Sequence, residues 1–199
     1  MTQLTNPALV VIDAQVGINE EMHWGGNRNN PDAEKNIALL LEQWRRMKFP
    51  VVIVQHNSVS STSPFRPHYS GNKLMDFVNR QQDEKLIQKS TASAFIKTDL
   101  QQYIEQEKIT ALFITGFVTN NSVESTARHA GDLGTETVVV SDATACFDKL
   151  GMNGSKFTSD VVHTLSLANL KDEYASILTT KEILYLLNQQ STTQNLRSV

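Results

Sequence analysis

The sequence predicts an α/β fold: a three-layer sandwich in which a six-stranded, mainly parallel sheet carries helices on both faces. Two observations support this. Short apolar runs alternate along the chain with segments of helical periodicity, the pattern left by repeated strand–helix crossovers. The runs are apolar enough to be buried on both sides, as strands of a parallel sheet must be. Right-handed crossovers leave few topologies, and the order 3-2-1-4-5-6 is expected. The 199 residues suit one domain, 1–199, with a substantial core; no repeat or linker interrupts them.

The elements follow in order. Ala8-Leu9-Val10-Val11-Ile12 is a strand ending at Asp13. Residues 32–47 form a helix, with Ile37, Leu40, Leu41 and Trp44 on one face and Asp32 after Pro31 as its start. Residues 50–55 are a second buried strand. A long Ser-, Pro- and Gly-rich loop, 57–72, follows; such a loop in a compact domain is more often functional than idle. A short helix is expected at 73–79, a weaker strand at 85–88, a helix at 99–107 and the fourth strand at 111–115. Residues 122–133 form a helix closed by Gly134, and 137–140 the fifth strand. A long helix at 158–174, a sixth strand at Ile177-Leu178 and a last helix at 181–188 complete the domain. The polar tail, 189–199, is expected to fray.

Composition narrows the function. The net charge is −3 and no basic stripe appears, which argues against nucleic acid as a partner. No apolar run approaches the roughly 20 residues of a membrane helix, and 1–7 lacks the marks of a signal peptide. The single cysteine, Cys146, forbids an internal disulfide and fits a reducing compartment. A cytoplasmic protein acting on a small molecule, with neither membrane nor nucleic acid as partner, is the expectation.

In open parallel sheets, ligands bind beyond the carboxyl ends of the strands, near the point where strand order reverses. Asp13 ends the first strand, His56 the second and Lys89 the third. Residues 119–122 follow the fourth and Asp142 the fifth. In the expected order, strands one and four are neighbours, so Asp13 and Ser122 should face each other. A strand-to-helix turn also places backbone N–H groups where negative charge is stabilised.

Three separated segments carry a resemblance. They are Val10-Val11-Ile12-Asp13-Ala14-Gln15, Lys89-Ser90-Thr91-Ala92-Ser93-Ala94-Phe95, and the stretch from Gly116-Phe117-Val118-Thr119-Asn120-Asn121-Ser122 to Arg128-His129-Ala130. In this order and at these strand ends, the chain resembles the isochorismatase-like cysteine hydrolases, over nearly its whole length. The resemblance implies Asp13, Lys89 and Ser122 as catalytic residues, with the backbone N–H groups of Val118 and Ser122 as the oxyanion hole. It implies a cis peptide at Phe117–Val118, and homodimers or homotetramers. Trp24 and Phe95 are candidate pocket walls, and His56 and Thr119 candidate substrate contacts. No cofactor is expected. Relatives that hold a metal place a carboxylate near the second strand end, and Gln55-His56-Asn57 lacks it, so no metal is expected either.

The departure from the family pattern is Ser122, which stands where cysteine is usual. A serine hydroxyl is far less acidic than a thiol and needs an adjacent base. The resemblance therefore implies a small-molecule hydrolase, cleaving an amide-type C–N bond through an Asp-Lys-Ser site. Two alternatives stay open: vinyl ether hydrolysis with Asp13 as general acid, and a binding protein of the same fold. Ser122, Asp142 and His163 also occur in the chain order of an α/β-hydrolase triad. Ser122 lacks the flanking glycines of a nucleophile elbow, however, and His163 falls within a helical pattern.

Overall fold

The computed structural model describes residues 5–197, with side chains for 5–189. Five parallel pairings join six strands in the order β3-β2-β1-β4-β5-β8. These are β1 (Pro7–Ile12), β2 (Val51–His56), β3 (Lys85–Lys89), β4 (Ala111–Phe117), β5 (Glu136–Ala145) and β8 (Ser176–Leu178). The strand read as sixth is the eighth in the chain. A small antiparallel ribbon, β6 (Lys149–Leu150) and β7 (Lys156–Phe157), intervenes without a sequence signal.

Side-chain alternation divides the core in two. Leu9, Val11, Ile53 and Phe113 face one side, where helices α2 (Ala33–Met47) and α6 (Thr180–Arg197) supply Ile37, Leu41, Trp44, Ile183 and Leu187. Val10, Ile12, Val54 and Ile114 face the other, against α3 (Leu100–Gln106), α4 (Glu124–Asp132) and α5 (Ser159–Leu170). Each central strand is therefore buried on both faces, which explains its unbroken apolar run. The remaining helix, α1 (Glu21–Trp24), is one turn.

Several expectations are corrected. The region 73–79 holds only a 3-10 turn at Asp76–Val78. The helix expected at 158–174 stops at Leu170, because Lys171 turns extended and Asp172 takes a left-handed φ of 67°. The helix expected from 122 begins as α-helix only at Glu124; a π-helical turn, Thr119–Val123, precedes it. The last helix, expected at 181–188, is α6, Thr180–Arg197; residues 198–199 lie outside the described residues. Helix α5 turns Ser159, His163 and Ser166 inward beside Leu170, while Val161 and Leu165 are exposed.

Gly116 lets β4 approach β1. Its φ is +112°, and a Cβ there would lie 2.0 Å from the Ile12 carbonyl oxygen. The register between β4 and β5 also shifts at this point. Immediately beyond, Phe117–Val118 is a cis peptide, at the position the resemblance implied.

Candidate active site

The carboxyl ends of β1, β3 and β4 bring Asp13, Lys89 and Ser122 together. They are 2%, 3% and 6% exposed, on a chain that places them 76 and 33 residues apart. Lys89 is the hub. Its ammonium donates to Asp13 Oδ2 at 2.8 Å, to Ser122 Oγ at 3.1 Å and to the Thr91 carbonyl at 3.2 Å. His56 Nδ1 lies 3.1 Å from the same nitrogen. The three ammonium protons thus face four acceptor-capable groups and are shared among them. Burial holds the His56 pKa below its ordinary value, and the Lys89 charge adds to this; the Asp13 charge and the Thr91 carbonyl oppose it. The second Asp13 oxygen, Oδ1, is buried without a hydrogen-bond partner among the described residues.

Gln15 ties the strand ends together. Its Oε1 accepts from the His56 backbone N–H at 2.7 Å, and its Nε2 donates to the carbonyls of His56 and Asn72. Asn72 closes the loop 57–72: its Nδ2 donates to the carbonyls of His56 and Phe65 and to Asn57 Oδ1. The fold of that loop therefore depends on one buried and one half-buried amide, Gln15 and Asn72, rather than on apolar packing alone.

Above the polar cluster lies a cavity of about 340 Å³. Asp13 and Ser122 are at its base, and Trp24, Phe65 and Phe117 form an aromatic wall. Trp24 is fixed by an N–H bond to the Gly17 carbonyl at 2.8 Å and by packing on Phe65, 5.0 Å between centroids. Ser58, Ser60 and Thr62 from the long loop add hydroxyls to the lining. An apolar body with a few convergent polar groups suits a small organic ligand.

Of the residues chosen from the sequence, the structure brings Asp13, Trp24, His56, Val118 and Ser122 to this cavity, with Lys89 bonded beneath it. Phe95 lies elsewhere, in the core under α3 and α4, stacked on His129 at 4.9 Å. Thr119 is fully buried behind the turn, its hydroxyl 2.9 Å from His163 Nδ1. The α/β-hydrolase arrangement is not assembled. His163 bonds Thr119, and Asp142 accepts from the N–H and hydroxyl of Thr180 at the start of α6. Cys146 is buried, and burial pushes its pKa up to about 12. Sequence reasoning missed Phe65, Phe117 and Gln15. The first lay within a loop already marked by its length; the others sat inside quoted segments with no chemistry to single them out.

Comparison with known proteins agrees with this architecture. The isochorismatase domain model matches residues 7–182. An uncharacterised isochorismatase family protein of Bacillus subtilis is 37% identical over 89% of this chain and 94% of its own length. The crystal structure of an isochorismatase-family protein from Chromobacterium violaceum superposes with a TM-score of 0.88 at 36% identity, covering 92% of this chain and 94% of the other. Nicotinamidase 3 of Arabidopsis thaliana is 28% identical over 57% of this chain and 64% of its own length. By the matching domain model, the full-length relative and the shared fold, the chain belongs to the isochorismatase family of hydrolases.

Proposed function

We propose that the protein hydrolyses a small, uncharged amide-type substrate with Ser122 as the nucleophile. The observation that carries this reading is the placement of the Lys89 ammonium between Asp13 Oδ2 and Ser122 Oγ at the base of an aromatic-walled cavity. Ser122 Oγ attacks the carbonyl carbon, and its proton passes to the Asp13 carboxylate, whose Oδ1 has no hydrogen-bond partner among the described residues. Lys89 stabilises the oxygen as it loses its proton. The backbone N–H groups of Val118 and Ser122 bind the oxyanion, a contribution worth about 10²–10³ in rate for a single donor. The C–N bond then breaks, the amine takes the proton from Asp13, and water hydrolyses the ester left on Ser122. The relative named as a nicotinamidase supports an amide over other carbonyl substrates.

The unpartnered Asp13 Oδ1 also supports a second reading, in which a protonated Asp13 delivers its proton to a vinyl ether and Ser122 only orients water. A panel of small amides, carbamoyl compounds and vinyl ethers separates the two. Amide turnover by the native chain that disappears in Ser122→Ala supports the nucleophile. Turnover of amides by Ser122→Cys alone would overturn it. Vinyl ether cleavage that survives Ser122→Ala but not Asp13→Asn would favour the second reading.

A further inference from the structure

The turn that carries Ser122 is gripped from outside. It is a single turn of π-helix, a form concentrated at functional sites and without an extended ladder of its own. Helix α5 reaches it with two polar side chains. His163 Nδ1 lies 2.9 Å from the Thr119 hydroxyl. The Ser166 hydroxyl lies 2.5 Å from Glu124 Oε2 and 3.3 Å from the Thr119 carbonyl oxygen, so it spans both ends of the turn. The far side of His163 is fixed to β5. Asn30 Nδ2 lies 3.4 Å from His163 Nε2 and donates to the carbonyls of Ser141 and Thr144 on that strand. Both Asn30 amide protons are thus spent on carbonyls. The imidazole and the Thr119 hydroxyl, each able to donate or accept, close the contact at Nδ1.

This arrangement accounts for the polar side chains that share the inward face of α5 with Leu170. A helix that serves packing alone turns its apolar side inward. Here Val161 and Leu165 are 44% and 57% exposed, while His163 and Ser166 occupy inward positions and end on one turn.

We infer that His163 and Thr119 are positioning residues, whose hydrogen bond holds the π-turn so that the side chain at 122 stays against the Lys89 ammonium. The inference rests on the reading of Ser122 as the reacting group. Displacing a reacting atom by about 1 Å can cost on the order of 10²-fold in rate, so a modest relaxation of the turn has a measurable effect.

The test needs no substrate. In a Ser122→Cys background, the introduced thiol is alkylated with iodoacetamide across pH, and the labelled peptide is identified by mass spectrometry. Cys146 is the one other thiol in the sequence; buried and with its pKa pushed up to about 12, it stays silent. An ammonium 3.1 Å from position 122 should bring the thiol midpoint below the ordinary value of about 8.5. Adding Thr119→Val or His163→Leu should move the midpoint back up and slow labelling at pH 7 about tenfold. Thr119→Ser, which keeps the hydroxyl, and His163→Asn, which keeps a polar group that can donate or accept near Nδ1, should stay within about twofold of the parent. A Thr119→Val protein with the parent's midpoint and rate would overturn the inference. So would folded Ser and Asn variants that lose as much as Val and Leu. Thr119→Val is nearly isosteric and carries the test if His163→Leu does not fold. An ordinary midpoint in the parent itself would count instead against Ser122 as nucleophile. The ratio of labelling rates at high pH would then still read the clamp.

Discussion

The Lys89 ammonium meets the Asp13 carboxylate at 2.8 Å, with 0% and 2% of the two side chains exposed. Such a pair has given up its hydration, and each partner is compensated chiefly by the other. Removing one alone strands a buried charge. Lys89→Met and Asp13→Asn should each cost about 3–5 kcal/mol in urea unfolding. The double variant should recover a large part of that loss while remaining inactive. Additive losses in the double variant would show that the two side chains act independently.

Acid should weaken the fold through its buried histidines. Burial, above all, lowers the pKa of both His56 and His163 in the folded state. The unfolded chain therefore binds more protons between the folded values and the ordinary value of about 6.5. Stability from these groups is complete above about pH 6.5, and is lost as pH falls through that window toward the folded values. The urea midpoint of the native protein should drop between pH 7.5 and 5 by more than that of a His56→Asn, His163→Asn double variant. Equal drops would place the acid sensitivity in the carboxylates.

Two aromatic residues should separate by their effects. Trp24→Ala removes part of the cavity wall and should raise KM about tenfold, roughly 1.4 kcal/mol. Phe95→Ala leaves a hole in the core beside His129. It should cost about 3–5 kcal/mol of stability with KM unchanged. A KM change in Phe95→Ala at constant Trp24 geometry would bring Phe95 back to the substrate.

Asp142 should matter for stability alone. Its Oδ1 accepts from the N–H and hydroxyl of Thr180 at 2.7 and 2.8 Å, at the beginning of α6. Asp142→Ala should cost about 1 kcal/mol, as the loss of a helix cap does, and leave turnover intact. Loss of turnover in a folded variant would revive a triad role.

Gly116 should tolerate no side chain. A Cβ would stand 2.0 Å from the Ile12 carbonyl oxygen, at a φ of +112° that other residues rarely adopt. Gly116→Ala should lower stability by at least about 3 kcal/mol, read from thermal unfolding. A smaller loss would mean that β4 can move away from β1 at this point.

The sheet was legible because its signal is local. A strand buried on both faces must be apolar at every position, and Val10, Val11, Val52 and Ile53 satisfy this without reference to distant residues. Asp13, Lys89 and Ser122 were legible because strand ends in a parallel sheet converge on one edge. What escaped depends on partners far away in the chain. Thr119 differs from a substrate contact only through His163, 44 residues on. Phe95 lies in the core among Leu100, Ile104 and Ala127, with the His129 ring stacked on it. The ribbon at Lys149–Leu150 and Lys156–Phe157 has two residues per strand, too few for a periodic signal.

Gln15 has a consequence for how a ligand is received. One buried amide is bonded both to the strand end that bears His56 and, through the Asn72 carbonyl, to the loop that overhangs the cavity. Lid and hearth are one masonry. A guest molecule arrives in a room already furnished, so little of its affinity is spent on arranging the walls, and its fit is decided by shape at the door.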